Sequence, residues 1–291
     1  MSSLGSVHQV HQIVAAARIR LAEAGISRDD AALDARVLAE HVLGWSRERL
    51  VTDGGVPAPA DFRPKYDSLV ARRASREPLA YITGSREFWG LGFEVSRAVL
   101  IPRPETELIV EVVLELFPDR GTALDVADVG TGSGCLAIAI AKERAAARVV
   151  AIDNSADSIA VARRNAERHG VTNRVELLEN DLLGGVSNMF DLIVANPPYV
   201  PDGDRLTLQA EVRDYEPASA LFAGPDGLQV IERLIASAPD RLRSGGYLVF
   251  ELGYGQADAV ERLVQARANV KLIGLCQDLQ GIPRVAVVER E

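Results

Sequence analysis

Cysteine is nearly absent from this chain, with two residues in 291. Cys135 and Cys276 form no C-x-x-C pair, which excludes a dithiol redox site and offers no framework for disulfides. A reducing cytoplasm is the expected compartment, and the start, Met1–Ser6, lacks the basic and apolar regions of a secretory signal. An excess of positive charge is also missing. Lys and Arg number 32 against 41 Asp and Glu, a net charge of −9. Such a chain lacks the electrostatic footprint of a duplex-DNA binder, so no stable nucleic-acid binding is expected. Arg72, Arg73, Arg76 and Arg86 leave a local basic patch open, against the plainer reading of a solvated helix face. No apolar run approaches the roughly 18 residues of a membrane helix, so no membrane partner is expected. The histidines, His8, His11, His41 and His169, show no ligand spacing, and no metal is expected. No G-x-S-x-G elbow is present, which leaves acyl hydrolysis unsupported. What remains is an ordinary globular composition, 47% hydrophobic and 25% charged, long enough for one large domain or two smaller ones. The chain is expected to act as a monomer.

The first part reads as helical. Ser6 and Gln9 make a capping-box pattern ahead of Val10, Ile13, Val14, Ala17 and Leu21, which share one helical face up to Gly25. Ser27 and Asp30 open a second helix carrying Leu33, Val37, Leu38 and Val42, closed by Gly44. A turn over 46–51 and a helix over 61–75, separated by Gly54-Gly55-Val56-Pro57, complete an all-α domain over residues 1–76. Residues 77–104 read as a connector. It contains a hairpin of Ser85–Phe88 and Phe93–Val95 across Trp89-Gly90-Leu91-Gly92. From 105 to 291 strands alternate with helices, the signature of a parallel sheet covered on both faces. The strands are expected at 123–129, 148–152, 175–179, 191–195 and 247–252. Segments 270–275 and 284–288 should add an antiparallel pair. The fold class is α/β, a Rossmann-like seven-stranded domain preceded by a small helical one.

Two strand ends carry chemistry. The apolar run Asp191–Ala195 stops at Asn196-Pro197-Pro198-Tyr199, where two prolines forbid continuation and stiffen the backbone. Ligands of open α/β sheets sit at such ends. An amide oxygen and the Pro197 carbonyl can accept both hydrogens of a planar NH2 group while the Tyr199 ring packs on its plane. The first strand ends in Asp128-Val129-Gly130-Thr131-Gly132-Ser133-Gly134. These glycines let backbone approach a ligand, but Cys135 stands where a dinucleotide fingerprint has its third glycine, and no P-loop Lys follows. Asp153, after the second strand and some twenty residues on, is placed to bind ribose hydroxyls, since Ser155 is the better helix cap. Asp181-Leu182, at the next strand end, offers a rest for adenine. Adenosine alone suits NAD and S-adenosylmethionine equally; the NH2-gripping loop favours the second, because a planar NH2 accepts methyl and not hydride.

Gly130–Gly134, Asp153 and Asn196–Tyr199 together resemble methyltransferases of planar amino nitrogens. Gly84-Ser85-Arg86-Glu87-Phe88-Trp89-Gly90, Leu100-Ile101-Pro102-Arg103-Pro104-Glu105-Thr106-Glu107 and Tyr215-Glu216-Pro217-Ala218-Ser219-Ala220-Leu221 narrow the likeness. They are similar to the bacterial peptide chain release factor glutamine methyltransferases, over nearly the whole chain. The resemblance implies S-adenosyl-L-methionine as cofactor and class-1 release factors as partners. The methyl group goes to the glutamine amide of their Gly-Gly-Gln motif, and the helical domain docks the substrate. It places Asn196, Pro197 and Tyr199 as catalytic, with Pro198 joining them in substrate binding. Asp128, Val129, Gly130, Thr131, Gly132, Gly134, Asp153, Asn154, Asp181, Leu182 and Asn196 would hold the cofactor. Leu182 departs from the pattern, which has an aromatic residue beside the adenine. Two alternatives share the Asn-Pro-Pro-Tyr loop: a DNA adenine amino-methyltransferase and a methyltransferase of glutamine in another protein, such as a ribosomal one.

Overall fold

Small polar residues set where the N-terminal helices begin. The computed structural model describes residues 9–291. Helix α1, Val10–Glu23, starts at Gln9, whose backbone N–H donates to Gln12 Oε1 at 3.1 Å; the Ser6 half of the expected box lies outside the described residues. Ser27 accepts the Asp30 N–H to open α2, Arg28–Leu43, and Gly44 closes it in the left-handed region. Ser46 caps α3, Arg47–Asp53. Leu21, Leu38 and alanines 31, 35 and 39 meet Phe62, Tyr66 and Val70 of α4, Phe62–Ala74. Leu33, expected on the buried stripe, is exposed; the smaller alanines face the core instead.

This helical unit comprises Met1–Gly84 with Ala210–Tyr215, a different extent from the expected 1–76. The reason is α5, Leu79–Thr83, a helix too short for periodicity to reveal, which brings Ile82 into the helical core. The arginines expected on a solvated face are ion-paired. Arg73 donates to Asp34 at 2.6 Å and to Glu211 at 3.0 Å, Arg76 to Glu211 at 2.7 Å, and Arg72 to Glu77 at 2.7 Å. Arg73 is buried and Arg76 half-buried, whereas Arg72 and Arg86 stay exposed.

The second unit comprises Ser85–Gln209 and Glu216–Glu291. It opens with a hairpin of β1, Ser85–Phe88, and β2, Leu91–Glu94. Its turn is two residues and not four, because Phe88 already pairs with Leu91. Trp89 and Gly90 both have positive φ, 53° and 67°, the backbone of a tight hairpin turn. Phe88 and Phe93 pack edge to face at 6.2 Å in this unit's core. A 3-10 turn, Pro104–Thr106, leads into α6, Glu107–Leu116.

Seven strands follow: β3 Asp125–Val129, β4 Arg148–Asp153, β5 Val175–Glu179, β6 Phe190–Ala195, β7 Leu242–Glu251, β8 Val270–Gln277 and β9 Pro283–Arg290. Their order is β5-β4-β3-β6-β7-β9-β8, parallel up to β7 and antiparallel through β9 and β8. Both faces are covered, by α7, Cys135–Glu143, by α8, Ala156–Arg168, and by helices Gln229–Ser237 and Ala257–Gln265. Hence Val194 packs on one face and Ile193 on the other. The fifth parallel strand begins at Leu242, not 247. Gly245 and Gly246 lie inside it where the register to β6 shifts, a bulge that a Gly pair alone made look like a strand boundary. From β3 the chain winds outward through β4 and β5, then returns to place β6 on the other side of β3. Between β3 and β6 lies the topological switch point, where open α/β sheets bind ligands.

Candidate active site

At the end of β3 the backbone turns on three glycines with positive φ, Gly130 at 76°, Gly132 at 54° and Gly134 at 81°. The loop is tied to the end of β4: the N–H groups of Gly130 and Thr131 both donate to the Ile152 carbonyl at 2.8 Å. Gly132 faces open space, and a side chain there would intrude on the cleft. Gly134 serves packing. A Cβ on it would come within 3.2–3.4 Å of Ile138 and Ala162, so it lets α7 approach α8. The close-packing glycine therefore sits one residue earlier than the dinucleotide fingerprint would put it.

Asp153 ends β4 with both oxygens engaged: Oδ2 accepts the Gly132 N–H at 2.9 Å and Oδ1 the Ser155 N–H at 3.0 Å. A carboxylate has about four acceptor positions, so two remain for a ligand. Ser155 caps α8 through the Ser158 N–H, as expected. Burial raises the Asp153 pKa from its ordinary value. Asp128 lies beneath the loop, fully buried, and accepts from the Thr131 hydroxyl at 2.6 Å and the Ala137 N–H at 3.1 Å. Its other oxygen has no partner among the described residues, and burial pushes its pKa up to about 7. Leu182, after β5, has φ 49°, strained backbone for a residue with a bulky side chain, at the cleft wall. Asp181 beside it pairs with Arg233 at 2.6 Å.

At the end of β6, Asn196 lies half-buried and Pro197 buried. The Asn196 Nδ2 donates to Thr106 Oγ1 at 2.8 Å; Thr106 Oγ1 donates to Glu251 Oε2 at 2.6 Å; the Tyr199 hydroxyl donates to Glu251 Oε1 at 3.0 Å. The loop is held from behind as well. Gln256 Nε2 donates to the Tyr199 carbonyl at 3.1 Å. Gly227 passes so close that a Cβ there would lie 2.2 Å from that same oxygen. Glu216, buried, accepts the Ile101 N–H at 3.1 Å and pairs with Arg103. This joins the Ile-Pro-Arg-Pro-Glu-Thr-Glu and Tyr-Glu-Pro strings, which are over a hundred residues apart.

The switch-point cleft brings Gly130, Thr131, Gly132, Asp153, Asn154, Asp181, Leu182, Asn196 and Pro198 to one wall. Asp128, Val129, Gly134, Pro197 and Tyr199 stand behind it and do not line it. The first three shape the glycine loop from below, and the Tyr199 hydroxyl is turned inward to Glu251. Reasoning from sequence gave no role to Thr106, Glu251, Glu216 or Gln256. For Glu251 a signal existed, an acid at the carboxyl end of a strand beside the switch point; Thr106 and Glu216 lie within the strings that narrowed the resemblance, and nothing local marks Gln256.

Residues 12–84 match the family described as PrmC N-terminal domain, and residues 106–212 the one described as Methyltransferase small domain. A release factor glutamine methyltransferase of Geobacter sulfurreducens is 42% identical over 286 residues, 98% of either chain. One of Koribacter versatilis is 42% identical over 257 residues, 88% of this chain and 90% of that one. In fold alone, the chain is similar to the hMettl16 catalytic domain solved with an RNA hairpin. The TM-score is 0.58 at 18% identity, covering 76% of this chain and 81% of the other. Among the described residues no helix is long and apolar enough to cross a membrane.

Proposed function

Since the chain belongs to the release factor glutamine methyltransferase family, we propose that it methylates the glutamine side-chain amide in the Gly-Gly-Gln motif of class-1 peptide chain release factors, with S-adenosyl-L-methionine as donor. The observation that carries this reading is the Asn196 amide. Its NH2 end is occupied by Thr106, and its Oδ1 has no partner among the described residues, on a side chain that lines the cleft. An acceptor oxygen is what a substrate NH2 needs.

The cleft fits the cofactor by its donor and acceptor set: a glycine turn open at Gly132, spare lone pairs on Asp153, and apolar surface at Leu182. Gly130, Thr131, Gly132, Asp153, Asn154, Asp181 and Leu182 would hold it. When bound it supplies an electrophilic methyl group. The protein's task is then alignment, because an amide nitrogen is a poor nucleophile whose lone pair is delocalised into its carbonyl. Orientation of this kind contributes about 7–11 kcal/mol. Asn196 Oδ1 accepts one N–H group, favouring the partial positive charge that develops on nitrogen; the Pro197 carbonyl, expected to accept the other, belongs to a residue that does not line the cleft. The Tyr199 ring shapes the slot, and the departing proton is left to water. The helical unit, in this reading, docks the release factor; a chain starting at Ser85 keeps cofactor affinity and methylates release factor poorly.

The test uses the full chain, labelled cofactor, release factor, its glutamine-to-alanine variant and duplex DNA at low salt, where phosphate attraction is strongest. Label enters only the glutamine-bearing release factor. Label in the alanine variant overturns the glutamine assignment, and label in DNA overturns the substrate class.

A further inference from the structure

We infer that Thr106 and Glu251 are positioning residues for methyl transfer, their hydrogen-bond chain fixing which end of the Asn196 amide meets the substrate. This rests on the function just proposed. The two ends of an amide side chain, oxygen and NH2, are nearly the same size, so packing alone does not choose between them. Here proton counting does. A hydroxyl has one hydrogen, and an ionised carboxylate can only accept. Thr106 Oγ1, 2.6 Å from Glu251 Oε2, must donate there, and can then only accept from Asn196 at 2.8 Å. Only Nδ2 can donate, which leaves Oδ1 for the glutamine. The reversed amide would set NH2 against NH2.

Glu251 is suited to this role by its surroundings. It ends β7, next to β6, and is 1% exposed. Its second oxygen is held by Tyr199, so the carboxylate cannot rotate away. Glu105 and Arg284 are the charged groups facing it, and Arg284 is engaged by Asp278 at 3.0 Å. Among the described residues the carboxylate thus has hydroxyl donors and no ion-pair partner, an arrangement that costs stability. Burial accordingly raises its pKa. Protonated, it would donate to Thr106 and reverse the chain.

Thr106→Val keeps shape and removes the hydroxyl; Thr106→Ser restores it; Glu251→Gln keeps shape and removes the charge. In steady-state methylation of release factor, Thr106→Val and Glu251→Gln lower kcat by roughly 10–100-fold. Cofactor affinity by calorimetry stays within a few-fold, Glu251→Gln melts no lower than wild type, and Thr106→Ser recovers most of the lost rate. The wild-type kcat falls on the acid side as Glu251 gains its proton, and Glu251→Gln lacks that limb. Undiminished kcat in both Thr106→Val and Glu251→Gln overturns the inference, as does a loss that follows melting temperature or cofactor affinity. Wild-type enzyme in the same assay separates the two levels. No transfer to release factor there overturns the function and this inference with it, whereas transfer with undiminished variants overturns this inference alone.

Discussion

Buried carboxylates are satisfied in two opposite ways, and the sheet unit uses both, since its Glu216 is paired with Arg103. In the helical unit Asp34 is matched by the Arg73 guanidinium at 2.6 Å, and Glu211 is shared by Arg73 and Arg76. In the sheet unit Glu251 and Asp128 have hydroxyl and backbone donors only. A guanidinium carries its own charge and offers several donors, so it holds an acid whatever lies around it. A hydroxyl gives one proton and must accept its next bond, so it transmits direction. The first arrangement ties segments distant in sequence into one fold. The second orients a side chain at the cleft. Burial raises the pKa in both arrangements, at Asp34 as at Glu251 and Asp128, and at Asp34 the Arg73 cation pulls against it.

Breaking the ion-paired side should give the largest effect. Arg73→Met leaves Asp34 buried without its cation and should cost about 3–5 kcal/mol of stability, read by denaturant unfolding. Asp34→Asn combined with Arg73→Met should recover part of that loss. A double variant no better than the single would mean that Glu211 is the partner that matters. On the other side, Asn196→Ala should leave stability and cofactor affinity nearly unchanged while turnover falls about 100-fold or more, near 2.7 kcal/mol. Calorimetry that finds cofactor binding lost with the fold intact would place Asn196 on the wrong ligand. Asp153 combines both behaviours, since it supports Gly132 and has acceptors to spare. Asp153→Ala should weaken cofactor binding by about 1.5–3 kcal/mol for each charge-assisted bond removed. Unchanged affinity with a lower melting temperature would leave it only the loop to hold.

The same division explains what the sequence made legible. Strand β5 spans the expected 175–179, Ser155 caps α8, and Asn196 follows the end of a buried strand. Each is a local signal: a short apolar run, a cap, a proline stop. The Asn196–Thr106–Glu251 chain joins residues 90 and 145 positions apart, and nothing in the neighbourhood of Thr106 announces its partners. Likewise Arg73 and Arg76 read as part of a surface cluster because their acids, Asp34 and Glu211, lie far along the chain. Short elements were also hidden. Leu79–Thr83 has too few residues for a periodic pattern, and Gly245-Gly246 looks the same in a bulge as in a loop.

The smallest effect belongs to Asp128, and its sign separates a costly buried acid from a stabilising one. Its folded-state pKa is raised from 3.8 to about 7, by burial above all, against the pull of the Thr131 hydroxyl and the Ala137 N–H. The folded protein therefore holds the proton more tightly than the unfolded chain. Its contribution to stability is full below the unfolded pKa and is lost as pH rises towards 7, after which it changes no further. Asp128→Asn does not titrate, though its NH2 end would fill the place of the oxygen that has no partner. Against that constant offset, the melting temperature of the wild type should fall relative to the variant between pH 5 and 7, by a few degrees at most, and run parallel above 8. Measured without cofactor, a gap that moves the other way would mean the carboxylate is stabilised in place. Burial without a cation would then not be what makes an acid costly in the sheet unit.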